Sequence, residues 1–241
     1  MAARNSERWR AAQAHEMVWW RRRGDQFELA QAADRIRARA AALAEKLSPH
    51  VPLTEETKTL DIGSGPEPEI CDLPGRRYAL DPLAHFFRRQ FGHSLSDQVA
   101  WVEGIGEDLP WRDGAFDVVL CLNVLDHTWE PRMAVRELLR VTRAGGHCLL
   151  GVNCLGNVAY WAHRLVGRWT DPEHPHSFTE QHLRALLLGE AVGGHVFRLV
   201  DRWAARARRG GLKGTPLLKR IARALCPSRN RVEYLMEKVP R

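Results

Sequence analysis

The chain has 241 residues, 44% hydrophobic and 27% charged, enough to bury one substantial core and at odds with a disordered, collagen-like or low-complexity protein. Its formal net charge of +7 is uneven: residues 1 to 46 carry +4, residues 47 to 201 carry −7, and residues 202 to 231 hold ten basic side chains and no acidic one. Five scattered cysteines without a CxxC pair, no stretch apolar enough to cross a bilayer, and an N-terminus without a secretory pattern predict a reduced, cytoplasmic protein.

Residues 6 to 47, rich in Ala, Arg, Glu and Gln and broken at Gly24-Asp25, predict two helices. Their aromatic positions Trp9, Trp19 and Trp20 suit either a packed stripe or a lid over a ligand. These helices are taken as a cover, residues 1–48, on a main domain spanning 49–241. Short apolar runs follow, giving candidate strands at 57–62, 76–80, 99–102, 116–121 and 147–153. Pro131 and the Gly145-Gly146 pair bracket a helix over 131–142. Further helices are predicted near 157–168 and 180–188, with strands at 195–201 and 231–238. This alternation predicts an α/β fold, a mostly parallel sheet covered on both faces.

Between the last two strands, 202–230 reads as a basic helical insertion. Within it, Thr215 and Pro216 start a helix over 215–226 whose Leu217, Leu218, Ile221 and Leu225 share one face, with Lys219, Arg220 and Arg223 elsewhere. That helix suits either ordinary packing on the sheet or peripheral contact with an anionic membrane or acceptor.

The chemistry centres on TLDIGSGP, residues 59 to 66, where a strand runs directly into a glycine turn. Gly63 and Gly65 free the backbone for unusual dihedrals and close approach to a ligand. Asp61 at the strand end suits an amine, and Asp81, ending the next strand, suits the two hydroxyls of a ribose. Together they describe a nucleoside pocket at the carboxyl edge of a parallel sheet. Pro66, Pro68 and Pro74 predict that a helix after the glycine turn is short or absent, with the N-terminal helices and Trp19 and Trp20 covering the gap.

Downstream, the segment GEDLPWRDGAFDVVLCLNVLDHTWEPRMAVRELLRVTRAGGHCLLGVN, with its LP-aromatic step, FDVV strand, VLDH step and RVxxxGG turn in order, resembles the class I S-adenosylmethionine-dependent methyltransferases of the small-molecule and glycan-modifying type. The resemblance covers roughly residues 57 to 201. It implies a Rossmann-like, seven-stranded sheet and S-adenosylmethionine as cofactor. Carried over by position, Gly63, Ser64 and Gly65 would approach the methionine part, and Asp81 with Pro82 would meet the ribose. Gly106 and Glu107 would border the adenine, with Ile105 or Gly106 in place of the family's frequent Asp. Leu122 and Asn123 would face the amino acid end and the acceptor.

Methyl transfer to a hydroxyl needs a base, and histidine has the right intrinsic pKa. His127 and His176 are the candidates, with Trp19, Trp20 and His174 as acceptor contacts; capping and loop-ordering roles for the histidines remain the alternative. Ligand spacing in the sequence gives no metal site. Nucleic acid is disfavoured, because CLNV replaces the Asn/Asp-Pro-Pro-aromatic sequence of adenine methyltransferases and Cys226-Pro227 lies far from the site. The expectation is O-methylation of a small-molecule, glycan or lipid-linked acceptor, with N-methylation or a non-catalytic cofactor- or partner-binding role as alternatives. The acceptor's identity and the oligomeric state are not legible.

Overall fold

A computed structural model describes residues 2–24, 29–92, 98–170, 174–188, 197–206 and 229–239. The helix expected over 215–226 lies outside these residues. Two N-terminal helices, α1 (Ala2–Gly24) and α2 (Leu29–Leu47), precede a seven-stranded sheet. Its strands are β1 (Lys58–Ile62), β2 (Arg76–Asp81), β3 (Val99–Glu103), β4 (Phe116–Leu122), β5 (Thr142–Leu155), β6 (Phe197–Arg206) and β7 (Arg229–Lys238). The spatial order is β3-β2-β1-β4-β5-β7-β6. The first five strands pair parallel, whereas β7 runs antiparallel to both β5 and β6. The mostly parallel α/β architecture is that read from the sequence.

Strand alternation divides the core. Val119 and Cys121 of β4 join Leu60, Ile62 and Leu150 on the face covered by α4 (Pro131–Val141) and α6 (Glu180–Leu188), through Val135, Leu138, Leu183 and Leu187. Val118 and Leu120 face the other way, against Leu43 and Leu47 of α2. Where the three prolines lie, residues 63–75 form turns and bends without a helix. Part of that face is closed by α2, whose apolar residues pack with Ile70 and Leu73 from the loop itself. The helices α3 (Ala84–Phe91) and α5 (Asn157–Thr170) complete the described set.

Several boundaries move. The strand expected at 147–153 begins at Thr142, which pairs with Phe116; an irregularity follows, with Gly145 at a φ of +69°, before pairing with β4 resumes at Val118 and His147. The edge strand β6, expected to stop at 201, extends to Arg206 by pairing with β7 down to Asn230. The segment between these last strands is therefore 207–228, shorter than the predicted insertion.

Candidate active site

A cavity of about 650 Å³ opens at the carboxyl ends of β1, β2 and β4, the place where open parallel sheets bind ligands. Its floor is the glycine turn. Gly63 and Gly65 adopt φ of +65° and +59°, a region that side chains strain to enter. A Cβ on Gly63 would lie 2.5 Å from Val124 Cγ2, so the turn needs glycine for space as well as for dihedral angle. The amides of Gly63 and Ser64 both point at the Leu80 carbonyl, at 2.7 and 3.3 Å.

Asp81 fixes this turn to β2. Its Oδ2 accepts from the Gly65 amide at 3.0 Å and its Oδ1 from Leu83 N at 2.8 Å. Asp61 is likewise buried, and its Oδ2 accepts from Glu69 N at 2.8 Å. Burial pushes the Asp61 carboxyl up to about 8, with the Glu69 charge adding to it, and pushes Asp81 up to about 7 with help from Glu16. Two carboxyls whose ionisation burial makes costly form a site that a cationic ligand would relieve.

All ten positions expected at the cofactor line this one cavity: Asp61, Gly63, Ser64, Gly65, Asp81, Pro82, Gly106, Glu107, Leu122 and Asn123. Ile105 joins Gly106 there, so that wall is apolar and backbone-made. Glu107 is partly committed, its Oε1 accepting from the amides of Trp129 and Glu130 at 2.6 and 3.1 Å. Asn123 also has a positive φ, 62°, and is held by its amide donating to the Gly151 carbonyl at 2.7 Å and by Asn153 Nδ2 donating to its Oδ1.

The two tryptophans separate. Trp20 lines the cavity, lies over Gly65 and packs on Phe87 and Phe91 of α3, at centroid distances of 5.5 and 6.2 Å. Trp19 sits outside the lining, 45% exposed, with its ring edge against Trp20. The histidines separate too. His127, in a 3-10 turn over Leu125–His127, lines the cavity, whereas His174 lies outside the lining, its ring centroid 4.5 Å from that of His127. His176 lies outside the lining: its amide donates to the Asp126 carbonyl and its Nε2 to the Trp129 carbonyl, both at 3.1 Å.

Sequence reading missed Arg39, whose Nη2 donates to the Glu67 carbonyl and carboxylate at 3.0 and 2.8 Å and so clamps the glycine loop to α2. It also missed Asn153 and Arg231, which line the far end of the cavity, and the buried Asp126 beside His127. For Asp126 a signal existed, a carboxylate directly before a candidate histidine.

Comparison with known proteins agrees with this geometry. Residues 60–150 match the family model described as "Methyltransferase domain". An uncharacterized methyltransferase of Mycolicibacterium gilvum is 31% identical over 114 residues, which are 40% of this chain and 39% of that protein. The 27-O-demethylrifamycin SV methyltransferase of Amycolatopsis mediterranei is 29% identical over 45% of this chain and 43% of its own length. The chain thus spans about half or less of the curated relatives it matches. The crystal structure of the YcgJ protein from Bacillus subtilis superposes with a TM-score of 0.62 at 17% identity, covering 85% of this chain and 99% of that one, a likeness of fold.

Proposed function

We propose that the chain, which matches a methyltransferase domain over residues 60–150, is a class I S-adenosylmethionine-dependent methyltransferase that transfers a methyl group to an oxygen of a small-molecule or glycan acceptor. The observation that carries this reading is a single cavity that holds both the glycine turn tied to Asp81 and, beyond Asn123, the polar edge with His127. When bound, S-adenosylmethionine supplies a methyl carbon already made electrophilic by its sulfonium charge.

The residues' task is alignment and charge. Ser64 and the Gly65 backbone take the amino acid part, with Asp61 for its ammonium. Asp81 offers its carboxylate to the ribose hydroxyls, and Pro82 packs beside it. Gly106 and Glu107, with the apolar Ile105 beside them, would border the adenine. Leu122 and Asn123 separate the cofactor end from the acceptor end, where His127 meets the acceptor hydroxyl and His174 supports it. Trp20 closes the roof and excludes water, which strengthens the electrostatics inside. His176 orders its loop. Trp19 steadies Trp20.

Oxygen is favoured over nitrogen because the acceptor end presents an imidazole beside a buried carboxylate, equipment for a hydroxyl proton that a neutral amine does not require. The similarity to an O-demethylrifamycin methyltransferase supports the same choice. Calorimetry with S-adenosylhomocysteine tests the reading: micromolar, one-to-one binding is expected, and no binding to the folded chain would overturn it.

A further inference from the structure

Resting on the reading just given, we propose that Asp126, His127 and His174 form a site for a first-row divalent cation at the acceptor end of the cavity, which binds and activates the acceptor hydroxyl. One ligand atom from each of the three residues lies within 4.8 Å of the other two. The linear sequence hides this set, because His174 reaches it from a loop far along the chain.

The independent observation is Asp126 itself. It is only 4% exposed, and its Oδ1 is buried with no hydrogen-bond partner. His174 Nε2 stands 3.8 Å from Asp126 Oδ2, beyond hydrogen-bond distance. A buried carboxylate so poorly matched is costly, and a metal ion between it and the two imidazoles would give it a cationic partner. Zinc takes nitrogen at about 2.0–2.1 Å and carboxylate oxygen at about 2.0–2.2 Å, so closing the present spread asks for side-chain rotation of about an ångström.

The surrounding bonds preorganise the set. Both hydrogen bonds of His176, from its amide to Asp126 O and from Nε2 to Trp129 O, dock the 174–176 loop on the 3-10 turn, and thereby set His174 against His127. His176 is in this sense a positioning residue. Two imidazoles and one carboxylate suit zinc, cobalt or manganese better than magnesium or calcium, which prefer all-oxygen shells. Three protein ligands leave a position open, the arrangement of a catalytic ion, and one of the three, His127, lines the cavity.

In the resulting step the acceptor hydroxyl ligates the cation, which lowers its pKa, and its proton passes to water, His127 then acting as a ligand and no longer as the base. The oxygen then forms a bond to the methyl carbon as the carbon–sulfur bond breaks, and the electron pair of that bond returns to sulfur as the neutral thioether. The cation is neither oxidised nor reduced.

The test uses the full chain stripped with EDTA. Zinc titration by calorimetry and metal content after dialysis should give one ion per chain, and cobalt substitution should give visible d–d absorption. Asp126→Asn and His174→Ala should each weaken zinc binding at least tenfold, with far-UV circular dichroism and S-adenosylhomocysteine binding reporting that each variant folds. Equal zinc binding by wild type and a folded variant, or no zinc binding by a wild type that does bind S-adenosylhomocysteine, overturns the cation site while leaving the methyltransferase reading intact. Zinc binding lost in the variants, in a chain that never binds S-adenosylhomocysteine, confirms the cation site and removes that reading instead.

Discussion

The Asp81 carboxylate accepts the Gly65 amide at 3.0 Å, so the end of β2 holds the glycine turn that follows β1. The residue expected to meet the ribose therefore also shapes the loop that meets the rest of the cofactor. Asp81→Ala should weaken S-adenosylhomocysteine binding roughly tenfold to a hundredfold, as loss of one or two charge-assisted hydrogen bonds at about 1.5–3 kcal/mol implies. Asp81→Asn, which still offers an acceptor to Gly65 N, should fall between. Calorimetry reads both.

Burial sets a pH dependence. The Asp61 and Asp81 carboxyls sit at about 8 and about 7 in the folded, cofactor-free chain, against an ordinary 3.8. The folded state thus keeps protons that the unfolded state has released. Stability from these groups is complete below about pH 4 and declines as pH rises through 7 and 8. Thermal melts of the cofactor-free protein should show this decline, and Asp61→Asn should flatten it. A ligand ammonium favours the ionised carboxylates, so S-adenosylhomocysteine binding should tighten from pH 6 to 8 with release of protons. Calorimetry in buffers of different ionisation enthalpy measures that release.

Gly63→Ala should be poorly tolerated. Its Cβ would press on Val124 at 2.5 Å while the backbone holds a φ of +65°, a combined cost of about 2 kcal/mol or more. The double change with Val124→Ala should recover the steric share only. Denaturant unfolding separates the two contributions.

Arg39 and Trp20 act on the same loop from different helices. Arg39→Ala removes two hydrogen bonds to Glu67, worth about 1 kcal/mol for a partly exposed guanidinium. It should weaken S-adenosylhomocysteine binding severalfold with little change in melting temperature. Trp20→Ala strips the roof from Gly65 and a ring from the Phe87–Phe91 cluster, and should cost both affinity and stability. Binding isotherms and thermal melts of the two variants would expose this contrast.

Local pattern reported whatever local physics decides. The strands ending at Asp61-Ile62 and Asp81 were legible because apolar runs stop at turn residues, and the glycine turn because few other sequences fit its dihedrals. The missing helix at 63–75 was legible in three prolines. Other features come from partners distant in sequence. Thr142 joins β5 because Phe116 pairs with it, and Arg202 to Arg206 are strand because β7 lies alongside. Trp19 and Trp20 look equivalent as neighbours, yet only the helix's docking on α3 decides which one faces inward. Arg39, Asp126 and Arg231 gain their places through contacts no local window contains.

The order β5-β7-β6 has a consequence for synthesis. Strand β6 pairs only with β7, and β7 must insert between β6 and β5. While the ribosome still holds β7, β6 has no edge to join and Arg231 has not reached the cavity wall. Trp9 of α1 lines that same cavity. The cavity wall thus waits for β7, and a nascent chain arrested before β7 should have its parallel strands in place yet leave the cavity unfinished.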